Sequence, residues 1–247
     1  MDSLFSLAGK KAVITGCATG IGKGMAAGLA RAGADIIALD IGDLEDTRRT
    51  VENLGRECRC YHVDLSVSSD VDEVWIRLLE EAGHVDILCN NAGMQFRKNA
   101  FEYPEEMFDN LKAPYRLSQK AAIHFRDQGL KGKIINTASL FTTFGGVEVS
   151  GYTCSKHGVM GMTRALSNEF APYGICVNAI APGYIATELT KAIWSDSKRR
   201  QPMDERIPAG RWGTPDDFEG PAVFLASRAS DYITGIMIPI DGGYSAR

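Results

Sequence analysis

No run of about 18 apolar residues occurs in this 247-residue chain, so a membrane-spanning helix is not expected. The opening Met1-Asp2-Ser3-Leu4-Phe5-Ser6 lacks the basic start and apolar centre of a secretory signal. Six cysteines, at 17, 58, 60, 89, 154 and 176, show neither disulfide nor zinc spacing. Together these absences predict a reducing compartment, most simply the cytoplasm. Histidine is scarce: four are present, none at metal-ligand spacing, and no metal is expected. Clustered basic charge is missing as well. The balance is 27 basic against 31 acidic residues, a formal charge of -4, and the one basic run is the short Lys198-Arg199-Arg200. Nucleic-acid binding, which depends on clustered Lys and Arg, is therefore not expected. At 45% hydrophobic and 23% charged, the composition excludes a disordered or fibrous chain. The length would allow two small domains, but no Pro/Ser-rich linker divides the chain, and one domain over 1–247 is expected.

What the chain does contain is alternation. Apolar, β-rich runs at residues 11–15, 35–40, 58–63, 85–90, 133–139, 175–181 and 236–240 are separated by helix-length stretches. Runs such as Ala12-Val13-Ile14 and Ile36-Ile37-Ala38-Leu39 suit strands buried on both faces of a parallel sheet. The pattern predicts an α/β protein with a doubly wound, Rossmann-type parallel sheet of about seven strands and helices on both faces. Cys58 and Cys60, two apart, are placed on one strand face. Two segments break the alternation: 142–150, rich in Gly and Thr, and a polar, proline-flanked stretch at about 184–210. The second reads as a lid over a substrate site.

The first strand runs into Thr15-Gly16-Cys17-Ala18-Thr19-Gly20-Ile21-Gly22, followed by a helix. Glycines at such a turn let backbone approach a pyrophosphate, whose charge the helix N-terminus stabilises. A strict G-x-G-x-x-G fails at Met25, and a phosphate-binding loop of the NTPase kind fails at Cys17 and Gly24. Asp40 ends the second strand, 24 residues after Gly16, where a carboxylate accepts bonds from the adenosine ribose and repels a 2′-phosphate. NAD is favoured over NADP, which stays possible because Arg48 and Arg49 lie close enough to receive a phosphate if Asp40 turns away.

Chemistry is concentrated in Ser139, Tyr152 and Lys156. Tyr152 and Lys156 are four apart and share a helix face, and Ser139 ends a strand at the sheet edge where ligands bind. A tyrosine near pKa 10 is a weak base at neutral pH, and a neighbouring ammonium would lower that value.

These residues resemble the classical short-chain dehydrogenases/reductases, in which a TGxxxGxG turn, NNAG, an Asn, a Ser, YxxxK and PG recur in order. The matching residues are Thr15 to Gly22, Asn90-Asn91-Ala92-Gly93, Asn110, Ser139, Tyr152 with Lys156, and Pro182-Gly183. The resemblance covers essentially the whole chain. It implies Tyr152 as general acid/base, Ser139 as hydrogen-bond partner of the reacting oxygen, and Lys156 as the group lowering the tyrosine pKa and holding the nicotinamide ribose. Asn110 would position a relay water. Cofactor contacts would come from Gly16, Thr19, Gly20, Ile21, Gly22 and Asp40, from Asp64 and Leu65 at the adenine, and from Asn91, Ala92 and Gly93. Tyr152, Lys156, Pro182, Gly183, Ile185 and Thr187 would complete them around the nicotinamide. A homotetramer is also implied. One departure is that Gly93 to Asn110 is about five residues shorter than the family pattern, and Pro114, soon after Asn110, should start or bend the next helix.

Within the family, AIAPGYIA at 179–186, RIPAGRWG at 206–213 and FLASRASDY at 224–232 are similar to 2-deoxy-D-gluconate 3-dehydrogenases, which also act on keto-deoxy sugar acids. The expected function is NAD-dependent hydride exchange at a secondary alcohol or ketone of a sugar acid. A dehydrogenase of another polyol or ketone, or a non-catalytic NAD(P)-binding regulator, is the alternative. A sugar acid needs a cation for its carboxylate. Arg97, with Gln95 beside it, is the first candidate, against the plain alternative that Arg97 pairs with Glu102. The Lys198 to Arg200 run is the second place where local positive charge is expected.

Overall fold

The computed structural model describes residues 4–103 and 109–247. Its strands are β1 (Lys11–Thr15), β2 (Asp35–Asp40), β3 (Cys58–His62), β4 (Ile87–Asn90), β5 (Lys133–Thr137), β6 (Cys176–Pro182) and β7 (Met237–Ile240). They form one parallel sheet in the order β3-β2-β1-β4-β5-β6-β7. Between them run α1 (Gly20–Arg31), α2 (Glu45–Asn53), α3 (Ser68–Ala82), α4 (Asp109–Asp127), α5 (Ser150–Phe170), α6 (Lys191–Trp194), α7 (Ser197–Asp204) and α8 (Glu219–Ala226).

Both faces of the sheet are covered, which explains the unbroken apolar runs. On one face Val13, Leu88 and Ile134 pack against Trp75 and Leu78 of α3, Phe125 of α4 and Val159 of α5. On the other, Ile14, Ile36 and Ile180 meet Met25 and Leu29 of α1, Val51 of α2 and Leu225 of α8. Strand order reverses between β1 and β4, and the crevice beyond the C-terminal ends of strands opens at such a reversal.

Two strand limits differ from the periodicity by two residues, each for a local reason. β4 starts two residues late because Asp86 is an anchor: its amide bonds the Lys11 carbonyl at 2.9 Å, and its carboxylate accepts from Lys10 Nζ at 2.8 Å and Lys11 N at 3.0 Å. β5 ends at Thr137 because Ser139 leaves the ladder to cap the single turn Leu140–Thr142.

Helix α1 lies unusually close to the chain ahead of and into α8. A Cβ on Gly28 would stand 2.7 Å from Glu219 Cα, and one on Gly24 would stand 2.7 Å from the Pro215 carbonyl carbon. The 184–210 stretch, expected to be irregular, contains the short helices α6 and α7. Asp196 caps α7, accepting from Lys198 N at 3.0 Å; this N-cap signal was present in the sequence.

Candidate active site

The crevice holds a cavity of about 470 Å³ whose wall includes the glycine turn, Asp40, Ser139, Tyr152 and Lys156. Gly16 adopts φ +66°, and a Cβ there would stand 2.6 Å from Ala92 Cα, so turn and NNAG segment touch backbone to backbone. Thr15 Oγ1 accepts from Asn91 N and Ala92 N, both at 2.9 Å. Asn91 Nδ2 donates to Gly16 O at 2.8 Å and Thr15 O at 3.1 Å, and its Oδ1 accepts from Thr137 Oγ1 at 3.3 Å. The Asn91 side chain is thus a brace joining β1, β4 and β5. Sequence reasoning, which placed Asn91 along a ligand, did not foresee that bracing role.

At the α1 N-terminus Thr19 has extended backbone, no side chain caps the helix, and the first turn carries no acid. With Thr19, Gly20 and Ile21 in the cavity wall, its free N–H groups and positive dipole end suit a pyrophosphate. Asp40 is held at the end of β2, accepting from Ala18 N and Gly42 N at 2.8 Å each. The cations that could receive a phosphate beside it are engaged: Arg48 pairs with Glu45 and Glu52, Arg49 with Glu45, and Lys23 with Asp46. Asp64 and Leu65 also line the cavity, and Asp64 accepts from Ser66 N at 2.9 Å. These residues fit a nicotinamide dinucleotide along the crevice.

On the chemical side, α5 presents Tyr152 and Lys156 towards Ser139, which is buried at the end of the β5 segment. Lys156 Nζ donates to the Thr137 carbonyl at 2.7 Å and lies 5.6 Å from the Tyr152 ring centroid. Burial lowers this ammonium to about 8. Burial also raises the Tyr152 phenol above its ordinary value, against a hydrogen bond from Ser139 that lowers it and the nearby Tyr103, which adds to the rise. The sequence reading assigned the lowering to Lys156. In the folded chain the ammonium is aimed at a carbonyl, and Ser139 is the group that draws the phenol down.

Asn110 is buried in the same cavity despite the shortened approach from Gly93. Its Oδ1 accepts from Met94 N and its Nδ2 donates to Met94 O, each at 2.8 Å. Pro114 lies inside α4 and does not start it. Having no N–H, it cannot supply the helical hydrogen bond to the Asn110 carbonyl four residues earlier.

Pro182, Gly183, Ile185 and Thr187 close the far wall. Ile185 bridges Gly213, and Thr187 caps the turn Glu188–Thr190. Gln95 and Arg97 enter the wall beside Phe141 and Tyr184. Arg97 is exposed and forms no ion pair among the described residues, so the pairing with Glu102 is not made. The Lys198 to Arg200 run lies on α7 outside the cavity wall, with Arg199 bonded to the Ala192 carbonyl at 3.2 Å and Arg200 to Asp204 at 2.9 Å. Tyr184 and Phe141 were missed by sequence reasoning; Tyr184 stands directly after Pro182-Gly183, and that neighbourhood was its available signal.

The family model described as enoyl-(acyl carrier protein) reductase matches residues 16–245. With the Ser, Tyr and Lys geometry in place, the chain belongs to the short-chain dehydrogenase/reductase family, the NAD(P)-dependent oxidoreductases that interconvert CH–OH and carbonyl groups. It is 49% identical to 2-dehydro-3-deoxy-D-gluconate 5-dehydrogenase of Escherichia coli K12 over 99% of each chain. It is 47% identical to the enzyme of that name from Bacillus subtilis 168, over 100% of this chain and 99% of that one. A crystal structure of a candidate 2-deoxy-D-gluconate 3-dehydrogenase from Agrobacterium tumefaciens, with bound NADP, superposes with a TM-score of 0.92 at 40% identity, covering 100% of both chains.

Proposed function

We propose that the chain interconverts a secondary alcohol and a ketone on a keto-deoxy sugar acid, of the kind named in its 2-dehydro-3-deoxy-D-gluconate 5-dehydrogenase relatives. The observation that carries this reading is that Arg97, exposed and without an ion pair among the described residues, lines the same cavity as Ser139, Tyr152 and Lys156. A bound nicotinamide supplies the hydride acceptor or donor. Tyr152 takes the hydroxyl proton in oxidation and returns it in reduction, Ser139 hydrogen-bonds the reacting oxygen, and Lys156 holds the ribose. Asp40 with its fixed carboxylate, and the engagement of Arg48, Arg49 and Lys23 by acids, support NAD as the preferred cofactor, although the Agrobacterium structure carries NADP.

The decisive experiment measures NAD+ and NADP+ reduction against 2-deoxy-D-gluconate, 2-dehydro-3-deoxy-D-gluconate, gluconate and neutral polyols. Activity confined to the neutral compounds would overturn the sugar-acid reading. In the same assay Arg97→Gln is expected to raise KM for the acid about 10–100-fold, the equivalent of a charge-assisted hydrogen bond, and to leave neutral polyols little changed.

The Asn110 carbonyl, which Pro114 leaves without its helical donor, is the acceptor we assign to the relay water. Pro114→Ala restores that donor. The variant should unfold at higher temperature, since an interior helical proline costs about 3 kcal/mol, yet turn over several-fold more slowly. Thermal melts and kcat together check both signs, and faster turnover would contradict the assignment.

The proposal includes a single dinucleotide-binding domain over 1–247 whose 184–210 segment acts as the lid, a cytoplasmic location that rests on the cysteine pattern, and a homotetramer. Exposed Tyr115 and Ile123 on α4 support association, and sedimentation as a monomer would exclude it.

A further inference from the structure

Residues 94–98 are held at alternate positions. Met94 is clasped through its backbone by Asn110. The Phe96 carbonyl accepts from the Tyr103 hydroxyl at 2.9 Å, and Lys98 N donates to the Glu148 carbonyl at 3.0 Å. The residues between, Gln95 and Arg97, line the cavity, as Met94 also does.

Tyr103 has a second partner. Its hydroxyl accepts from the backbone N–H of Tyr152 at 3.3 Å. Tyr152 is the third residue of α5, so this N–H is one of the first-turn donors that a helix cannot satisfy internally. The residue at the N-cap position, Val149, offers no side-chain cap, and the preceding Glu148 has a left-handed backbone at φ +63°. A phenol has one proton to donate and lone pairs to accept. Here the proton goes to the segment bearing Arg97, and a lone pair goes to the backbone of the residue that carries the catalytic phenol.

We infer that Tyr103 is a positioning residue whose single hydroxyl sets the spacing between the carboxylate-binding segment and Tyr152, coupling recognition of an anionic substrate to placement of the acid/base. The coupling to an anion rests on the sugar-acid reading above; the tether to Tyr152 does not. A substrate carboxylate that draws Arg97 into the cavity moves Phe96, and through Tyr103 that displacement reaches the first turn of α5.

Tyr103→Phe keeps the ring and removes only the hydroxyl. Steady-state kinetics would be measured for this variant, for Arg97→Gln and for the double variant, on the sugar acid and on the best neutral alcohol of the panel, alongside NAD(H) binding and thermal melting. The expected result is a several-fold lower kcat on both substrates and about a tenfold higher KM on the acid alone, with cofactor affinity retained. The KM effect should vanish in the Arg97→Gln background. A lowered melting temperature with kcat and acid preference unchanged would mean a purely structural role and would overturn the inference. A KM rise that is equal on both substrates, or that persists without Arg97, would overturn it too. If the wild-type enzyme turns over only neutral alcohols, the sugar-acid reading fails, while the kcat comparison still tests the tether. Equal kcat in that case refutes the tether.

Discussion

Tyr152→Phe is expected to reduce turnover by about 10²–10⁴-fold, the range for loss of a positioned acid/base. The change removes one oxygen and leaves the ring in its edge contact with Phe141, 6.1 Å between centroids, so the fold and NAD(H) affinity should persist. Burial holds the phenol above its ordinary value while the neighbouring ammonium is lowered to about 8. Alcohol oxidation needs the ionised phenolate to accept the hydroxyl proton, so its rate should climb as pH rises through the alkaline range. Ketone reduction needs the protonated phenol and should be retained at neutral pH. Tyr152→Phe with wild-type kcat would eliminate the acid/base assignment.

The second large effect concerns cofactor choice. With both Asp40 oxygens fixed by backbone N–H groups, a 2′-phosphate would meet a carboxylate that cannot easily turn aside, and like charges in contact cost several kcal/mol. Asp40→Ala removes that repulsion together with the ribose contact. The ratio of kcat/KM for NAD+ over NADP+ should fall by about 10²-fold, each tenfold corresponding to about 1.4 kcal/mol. Parallel kinetics with the two cofactors test this, and a wild-type enzyme that prefers NADP+ would refute the premise. Arg48 and Arg49 should not take over as phosphate ligands in the variant unless their pairs with Glu45 and Glu52 are also broken.

Much of this architecture could be read from local pattern. β1 and β2 lie where the apolar runs begin and end, because central parallel strands are buried on both sides and their composition changes abruptly at the edges. Ser139, Tyr152 and Lys156 were legible because four-residue helical spacing and a strand end are local facts. What escaped were partnerships over long sequence distances. Asn91 carries no mark that it would bridge three strands. Arg48 and Arg49 are the exception, since Glu45 and Glu52, which pair with them on α2, stand only three or four residues away. The Tyr103 hydroxyl acts 49 residues away in sequence, at a helix start whose missing cap could be noticed but whose donor could not be named.

The glycines on the buried side of α1 limit how this enzyme can be re-engineered. Replacing a helical glycine by alanine is the ordinary route to a stiffer helix, yet at Gly24 and Gly28 the new methyl would strike Pro215 and Glu219 backbone. The helix that opens the cofactor crevice and the chain leading into α8 must therefore change together. The 184–210 segment of a relative can be exchanged as a cassette only if its downstream join leaves residues 215–219 in register with α1; a join that shifts them would misplace the dinucleotide before any substrate was bound.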